Sequence, residues 1–288
     1  MEVLAKVGRT AALPWAPMLL MPVGDIQYDG PDGAADLPRL CRHLAWGVAH
    51  GAYFIGMGDF VDFMSPSNRD RLATAGLYDT ATSIIDRAAT TLEDEILALL
   101  APTRGRWVGL LQGHHYFSHL DGTTSDTRFA LALGAPFLGD CALMRWTFRH
   151  ESGGSVNVKV WAHHGHGGGS ILPTAGLNKL YHQKVRYPNV RLFLMGHVPQ
   201  LGHVLTDGLD ITDRGEPHLL HEDTHYVLTG GFARGYLEGN QFAGRSQGGY
   251  AEKRMLPPAV LGGAVITLTP ETHTGIAQQR GVDIKVSS

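Results

Sequence analysis

The stretch GLLQGHHYF, residues 109–117, places two adjacent histidines directly after an apolar run that ends in glycine. A short apolar run bounded by glycine is typical of a buried strand. The pattern recurs along the chain, where other apolar runs stop at or beside a glycine and a polar residue follows. The polar residues at these positions are Asp25, Asp59, His114, His164 and His197. Because ligands gather at the carboxyl ends of strands in α/β sheets, we expect these side chains to form one site.

Apolar runs and helical spacing along the chain predict an α/β protein. The predicted strands are APMLLMPV (16–23), AYFIGMG (52–58), RWVGLLQG (106–113), ALMRWTF (142–148), SVNVKVWAH (155–163), VRLFLMG (190–196), THYVLTGGF (224–232) and GGAVITLTP (262–270). The predicted helices are 37–51, 79–100 and 124–134. The apolar face expected of the second helix comprises Ile84, Ala88, Leu92, Ile96 and Leu100. This order favours a sandwich of sheets and helices, and because no repeat or linker divides residues 1–288, we expect a single domain.

Composition restricts the class of protein and its partners. The 288 residues are 43% hydrophobic and 18% charged, as in a globular domain, and the net charge of −3 excludes a general attraction to polyanions. Only Cys41 and Cys141 are present, which excludes a disulfide framework and favours a reducing compartment. Prolines interrupt the apolar segment 11–25, and no run reaches the ~20 apolar residues that span a bilayer. We therefore expect a soluble, cytoplasmic protein without a membrane partner.

Aspartate and histidine together at one site indicate metal chemistry. Carboxylates and imidazoles are ligands of Zn²⁺, Mn²⁺ and Fe, and thiolates are missing from the pattern. A carboxylate between two cations can bridge them, and two cations about 3.5–4 Å apart clamp a phosphoryl oxygen and turn a bound water into a nucleophile. A nearby histidine that is not a ligand can then protonate the leaving alkoxide.

Five short blocks carry a resemblance to a known family. They are GDIQ (24–27), GDFVD (58–62), GHHY (113–116), HHGHGGG (163–169) and MGHVP (195–199). In this order they resemble the calcineurin-like metallophosphoesterases, whose pattern is Asp-x-His, Gly-Asp-x-x-Asp, Gly-Asn-His-Asp/Glu, a later His-Gly and Gly-His-x-His. The downstream segment LTGGFARGY, residues 228–236, also looks like phage and bacterial members. The resemblance implies a four-layer α/β/β/α sandwich with mixed sheets and a metal-dependent phosphoric ester hydrolase.

The resemblance also implies metal ligands. Asp25 would bind a first cation and Asp59 would bridge two cations. His164 and His197 would bind the second. Divalent Mn, Zn, Fe or Ni would suit this set of ligands, and their number is expected to be two.

Roles in catalysis and substrate binding follow from the same resemblance. His115 aligns with the family's catalytic histidine, the general acid that protonates the leaving group. Asp62 would orient a histidine, as carboxylates do around other metal sites. His166, in the glycine-rich block, would approach the substrate.

Three positions depart from the family's pattern. Gln27 stands where histidine is usual, and its amide oxygen is a weaker ligand than imidazole. His114 stands where the family has asparagine, which gives the second site a better ligand for transition metals. Pro199 replaces the last histidine and has no side-chain ligand, so Gln200 or His203 is a candidate substitute. We therefore expect the second metal to bind more tightly than the first.

The sequence leaves several functions open. The first expectation is hydrolysis of phosphodiester or nucleotide substrates, phosphorylated small molecules or nucleic-acid derivatives, in the cytoplasm of a bacterium or a phage-infected cell. A second is a degenerate relative that binds metal or phosphate without efficient turnover, because ligands are lost at Gln27 and Pro199. A phosphomonoesterase or phosphoprotein phosphatase is a further alternative. A zinc hydrolase that acts on amides fits the order of the blocks less well.

Overall fold

A computed structural model describes residues 2–4, 7–10, 12–167, 174–211, 216–239, 241–242, 245–247, 249–273 and 279–287. The strands are β1 (Glu2–Leu4), β2 (Val7–Arg9), β3 (Leu13–Pro14), β4 (Met18–Val23), β5 (Tyr53–Gly56), β6 (Trp107–Leu111), β7 (Phe137–Gly139), β8 (Cys141–Arg149), β9 (Ser155–His163), β10 (Leu192–Met195), β11 (Leu201–Ile211), β12 (Leu219–Gly231), β13 (Gln241–Phe242), β14 (Arg245–Ser246), β15 (Gly262–Gly263), β16 (Val265–His273) and β17 (Gln279–Ser287). The helices are α1 (Leu37–Ala49), α2 (Pro66–Thr74), α3 (Asp79–Leu100), α4 (Ser125–Leu133), α5 (Thr174–Gln183) and α6 (Tyr250–Lys253), and a 3₁₀ turn covers Ala101–Thr103. Within the described ranges, no helix combines the length and the apolar character needed to cross a bilayer.

Two mixed sheets contain most of the strands. The first has the order β17-β16-β4-β5-β6-β7, with β4 to β7 parallel and β16 antiparallel to β4. The second has the order β1-β2-β8-β9-β10-β12-β11, with β9, β10 and β12 parallel to one another. β8 is antiparallel to β9 and parallel to β2, and β11 is antiparallel to β12. Two short strands join this second sheet, β3 beside β8 and β15 beside β12.

Alternation of side chains along the strands builds four layers. In β10, Leu192 and Leu194 enter the core between the two sheets, whereas Phe193 packs on the opposite face with Leu180 of α5. In β5, Ile55 enters the same inter-sheet core, whereas Phe54 lies on the other face and packs with buried residues of α1, α3 and α4. The layers are therefore helix, sheet, sheet and helix, which confirms the predicted α/β/β/α sandwich with mixed sheets.

Helix α3 has the predicted bounds but a different buried face. Ile84 is 54% exposed, and the buried residues are Ala89, Glu93, Ile96 and Leu100. The expectation that Ile84, Ala88 and Leu92 lie on the buried stripe with Ile96 and Leu100 is therefore wrong for Ile84 and Ala88, which are exposed, and Leu92 is partly buried. The physical reason is a buried polar network, in which Glu93 accepts from Nε2 of His119 at 2.6 Å. Hydrophobic periodicity cannot detect a face that is buried through a carboxylate.

Candidate metal centre

The predicted site lies where the carboxyl ends of the two sheets meet. The backbone N–H of His197, after β10, donates to Oδ2 of Asp25, after β4, at 2.9 Å. Nδ1 of His164, after β9, lies 2.6 Å from the carbonyl oxygen of Met57, after β5. These two hydrogen bonds join one sheet to the other, so that side chains distant in sequence converge at one edge.

The backbone at this edge is strained. In the described part of the chain, a positive φ at a residue other than glycine occurs at Asp25 (47°), Gln27 (48°), Asp59 (53°), His197 (63°) and Met255 (54°). The first four of these residues belong to the predicted site. Hydrogen bonds hold the strained turns: the N–H of Asp25 donates to Gly58 and that of Gln27 donates to the carbonyl of Asp59. Backbone strain of this kind persists only where the surrounding structure imposes it, and it clusters at functional sites.

Asp59 lies at the centre of the site and is almost fully buried. Its Oδ1 accepts from the backbone N–H groups of His114 at 2.5 Å and His115 at 2.9 Å. Its Oδ2 lies 3.2 Å from Nε2 of His164, but the two atoms lack the alignment of a hydrogen bond. One oxygen of Asp59 therefore fixes the histidine loop, and the other remains available to a cation.

Three buried polar atoms in this region have no hydrogen-bond partner among the residues that the structure describes: Oδ1 of Asp25, Oδ2 of Asp59 and Nε2 of His164. Each of these three residues also places a potential ligand atom within 4.8 Å of the others. Leaving buried polar atoms unpaired is costly, and native proteins rarely do it without a ligand or an ion. The orphaned atoms and the donor types therefore fit a divalent cation.

A second group consists of three histidines, His114, His164 and His197, with potential ligand atoms within 4.8 Å of one another. Hydrogen bonds to carbonyl oxygens determine which ring nitrogens face the site. His164 donates from Nδ1 to Met57, so its Nε2 faces the site. His197 donates from Nε2 to Gly167 at 3.0 Å, so its Nδ1 faces the site, where it lies 3.1 Å from Nδ1 of His114. Metal-binding histidines commonly donate their second nitrogen to such acceptors, and this orients the ring.

Burial and neighbouring charges shift the pKa values of the site. Burial, with the nearby imidazoles, lowers the pKa of His114 to about 4, and burial also lowers the pKa of His197. Burial raises the pKa of Asp25 to about 7. For Asp59 and His164 the opposite charges outweigh burial, so the pKa of Asp59 falls and that of His164 rises to about 9. His114 and His197 are thus neutral and able to bind a metal, whereas His164 must first lose a proton.

His115 lies outside both groups and pairs with a different partner. Its Nδ1 lies 2.5 Å from Oδ1 of Asp62. Burial lowers the pKa of His115, but the hydrogen bond that it donates to Asp62 and the charges of Asp59, Asp62 and Asp25 outweigh burial and raise the pKa. With Nδ1 engaged by Asp62, Nε2 is the nitrogen left to exchange a proton with a bound molecule.

The positions that depart from the family's pattern have distinct surroundings. Gln27 is half-buried and joined to Asp59 through its backbone. Pro199 occupies the edge beside Asp25, since a Cβ placed on Gly231 would lie 2.8 Å from Cβ of Asp25 and 3.3 Å from Cβ of Pro199. His203 points elsewhere, because its Nε2 lies 3.0 Å from Nδ1 of His225 and the two rings stack.

His166 lies at the rim of the site. Its ring centroid is 6.0 Å from that of His114, and the residue is exposed. Its carbonyl oxygen accepts from Nζ of Lys179 at 3.0 Å. Gly168 and Gly169 of the same block lie outside the described residues.

Two supporting residues were not predicted from the sequence. Asp126, buried at the start of α4, accepts from the N–H of Gly113 at 2.8 Å. Arg69 of α2 donates from Nη1 to the carbonyl oxygens of Met64, His114 and Tyr116. Asp126 looks in the sequence like an acid that favours a helix N-terminus, and Arg69 looks like a solvated helix residue. Neither pattern carries a signal for this role.

No family model matches the sequence, and no curated protein matches it either. Among solved structures, the chain is similar to Vps29 of Chaetomium thermophilum, with a TM-score of 0.34 and 10% identity over 93% of this chain and 96% of that one. It is also similar to the calcineurin-like phosphoesterase YfkN of Bacillus subtilis, with a TM-score of 0.31 and 12% identity over 94% of this chain and 91% of that one. The function of the protein is therefore inferred from the side chains of the site.

Proposed function

We propose that the protein is a metal-dependent phosphoric ester hydrolase that acts on phosphodiester or nucleotide substrates. The observation that carries the proposal is the pairing of two features at one edge. The first is a cluster of aspartates and histidines with orphaned buried atoms. The second is the pair His115–Asp62, which lies beside the cluster and belongs to neither ligand group.

The residues divide into two sets of ligands. Asp59, His114, His164 and His197 would hold one divalent cation, and Asp25, Asp59 and Gln27 would hold another more weakly. The mixture of imidazoles and carboxylates suits Mn, Zn, Fe or Ni. Bound cations supply charge stabilisation at the phosphoryl oxygens and lower the pKa of the attacking water.

The remaining steps belong to side chains of this chain. His115, whose raised pKa favours the protonated imidazole, donates the Nε2 proton to the leaving oxygen as the ester bond breaks. Asp62 holds Nδ1 of His115 and stabilises the imidazolium before the transfer. Asp59 fixes the loop through the N–H groups of His114 and His115, so the acid keeps its position. His166 at the rim would contact the substrate.

A second candidate is a protein that binds metal or phosphate without efficient turnover. It is favoured by Pro199, which lies beside Asp25 where the family has a histidine, and by Gln27. The pair His115–Asp62 favours the hydrolase, because binding alone does not require a proton donor. A phosphomonoesterase or phosphoprotein phosphatase would use the same residues and differs only in its substrate.

Metal analysis and a paired assay test the proposal. Purified protein is loaded with Mn²⁺, Zn²⁺, Fe²⁺ or Ni²⁺, and its metal content is measured after extensive dialysis. Each form is then assayed with bis-(p-nitrophenyl) phosphate and with p-nitrophenyl phosphate. We expect one retained ion per chain and faster hydrolysis of the diester. Metal binding without turnover of either ester would favour the non-catalytic alternative, and two equally tight ions would contradict the asymmetric site.

A further inference from the structure

A cavity of about 510 Å³ opens beside the loop that carries His114 and His115. It lies between α2, the start of α3 and residues 116–120, and its size is that of a small-molecule site. Its apolar walls come from Met64, Leu72, Leu77, Ile85, Phe117 and Leu120. Leu120 is 63% exposed, so apolar surface extends to the mouth of the cavity.

One wall of the cavity is suited to a flat ring. The guanidinium carbon of Arg69 lies 3.7 Å from the ring centroid of Tyr116, and both residues line the cavity. Nη1 of Arg69 donates to three carbonyl oxygens, whereas Nε and Nη2 make no hydrogen bond with any described residue. Arg69 can therefore donate to an acceptor on the edge of a ring while its position stays fixed by the loop.

The cavity is continuous in sequence with the proposed acid. Tyr116 follows His115 directly, and Met64 lies two residues after Asp62. Nη1 of Arg69 is 2.6 Å from the carbonyl oxygen of His114. A substrate whose leaving oxygen meets His115 would extend the rest of its leaving group along this side of the loop.

We propose that this cavity binds a planar aromatic leaving group of the phosphate ester. The inference rests on the proposed hydrolase function, because it takes His115 as the residue at the leaving oxygen. Apolar walls supply affinity, and the free donors of Arg69 select rings that carry an acceptor at the edge.

The experiment compares phenyl and 2-naphthyl phosphate esters, of whichever ester class the protein hydrolyses, because the two leaving groups differ mainly in apolar area. Ala73→Trp on α2 fills the cavity, since Ala73 lines it, and Ala75→Trp adds the same ring outside it. In the unsubstituted protein and in Ala75→Trp we expect a KM about tenfold lower for the naphthyl ester, equivalent to about 1.4 kcal/mol. In Ala73→Trp the difference in KM between the two esters disappears, because the added ring occupies the space that the larger leaving group would fill. Equal KM values for the two esters in the unsubstituted protein, or equal losses in both variants, would overturn the proposal.

A binding measurement separates this inference from the proposed function. If neither ester is hydrolysed, the hydrolase proposal fails, and the fluorescence of 2-naphthol titrated with protein tests the cavity alone. Saturable binding that is lost in Ala73→Trp and kept in Ala75→Trp supports the cavity. Leu120→Asp, at the exposed mouth, is the second variant and should weaken binding several-fold. Absence of saturable binding in the unsubstituted protein overturns the proposal.

Discussion

The two halves of the candidate metal centre differ in their readiness to bind a cation. On one side, His114 and His197 have lowered pKa values and present neutral imidazoles, with centroids 4.6 Å apart. On the other side, Asp25 is buried next to Pro199, and neither Pro199 nor Gln27 supplies an imidazole. His164 belongs to both groups of potential ligands, and Oδ2 of Asp59 lies 3.2 Å from its Nε2. The half without these imidazoles leaves the other half intact, because the hydrogen bonds that orient His164 and His197 run to backbone carbonyl oxygens of Met57 and Gly167.

Substitution of the shared carboxylate should have the largest effect. Asp59→Asn keeps an oxygen that can accept from the N–H groups of His114 and His115, but it removes the charge between the two halves. We expect loss of both metals and a fall in kcat/KM of about a thousandfold or more, equal to about 4 kcal/mol of transition-state stabilisation. Metal content and steady-state rates measure this, and an unchanged thermal unfolding transition of the metal-free proteins is the control. Retained activity would refute the bridging role.

The proposed acid comes next. His115→Ala should lower kcat by about 10²- to 10⁴-fold, the usual contribution of general acid catalysis, and leave metal content unchanged because His115 belongs to neither ligand group. Steady-state kinetics beside metal analysis make the comparison. Parallel loss of metal and turnover would make His115 a ligand instead.

Asp62→Asn is the matched variant for His115. The hydrogen bond that His115 donates to Asp62 contributes to the raised pKa of His115, so weakening this bond lowers that pKa. Activity that needs the protonated imidazole is present below this pKa and lost as pH rises through it. The alkaline limb of the kcat profile should therefore move to lower pH in Asp62→Asn, and an unmoved limb would assign that limb to another group.

A gain of ligands tests the asymmetry from the other direction. The double variant Gln27→His and Pro199→His returns two imidazoles to the half that lacks them, and histidine tolerates the positive φ of position 27. We expect the metal stoichiometry to rise from one to two per chain, with the weaker ion bound at least about tenfold more tightly. Isothermal titration measures both, with His203→Ala as a control outside the site. Unchanged stoichiometry would mean that other atoms already supply the ligands that the Asp25 side of the metal centre needs.

The smallest effect concerns the support beneath the histidine loop. Burial raises the pKa of Asp126 from 3.8 to about 7. Between pH 3.8 and about pH 7, Asp126 keeps its proton in the folded protein and has lost it in the unfolded chain. The contribution of Asp126 to the free energy of unfolding therefore falls as pH rises, by at most about 1.4 kcal/mol per pH unit. Asp126→Asn keeps an acceptor for the N–H of Gly113. It should remove the contribution of Asp126 to the pH dependence of the free energy of unfolding, measured by urea unfolding of the metal-free protein. Exposed Asp121→Asn should retain it, and equal slopes in the two variants would exclude Asp126 as its source.

Much of the fold was predictable because strands and helices leave local patterns. The strand β6 and the helix α3 lie where apolar run and helical spacing predict them, and the glycine endings mark where strands stop. Strand β11 was missed because it is largely exposed, so no buried face imposes an alternation of apolar and polar residues. The buried face of α3 was predicted incorrectly because Glu93 is buried through hydrogen bonds.

The sequence by itself determined the order of strand ends and the residues placed on them, since these depend on neighbours within a few positions. The packing of the sheets, in contrast, brings Met57 and Gly167 close to His164 and His197, and these acceptors turn Nε2 of His164 and Nδ1 of His197 toward the site. It also decided that Pro199 lies beside Asp25 and that His203 faces away. The type of residue at a strand end can be read from the local sequence. The distance and the orientation between residues that are remote in sequence depend on strand register and sheet packing.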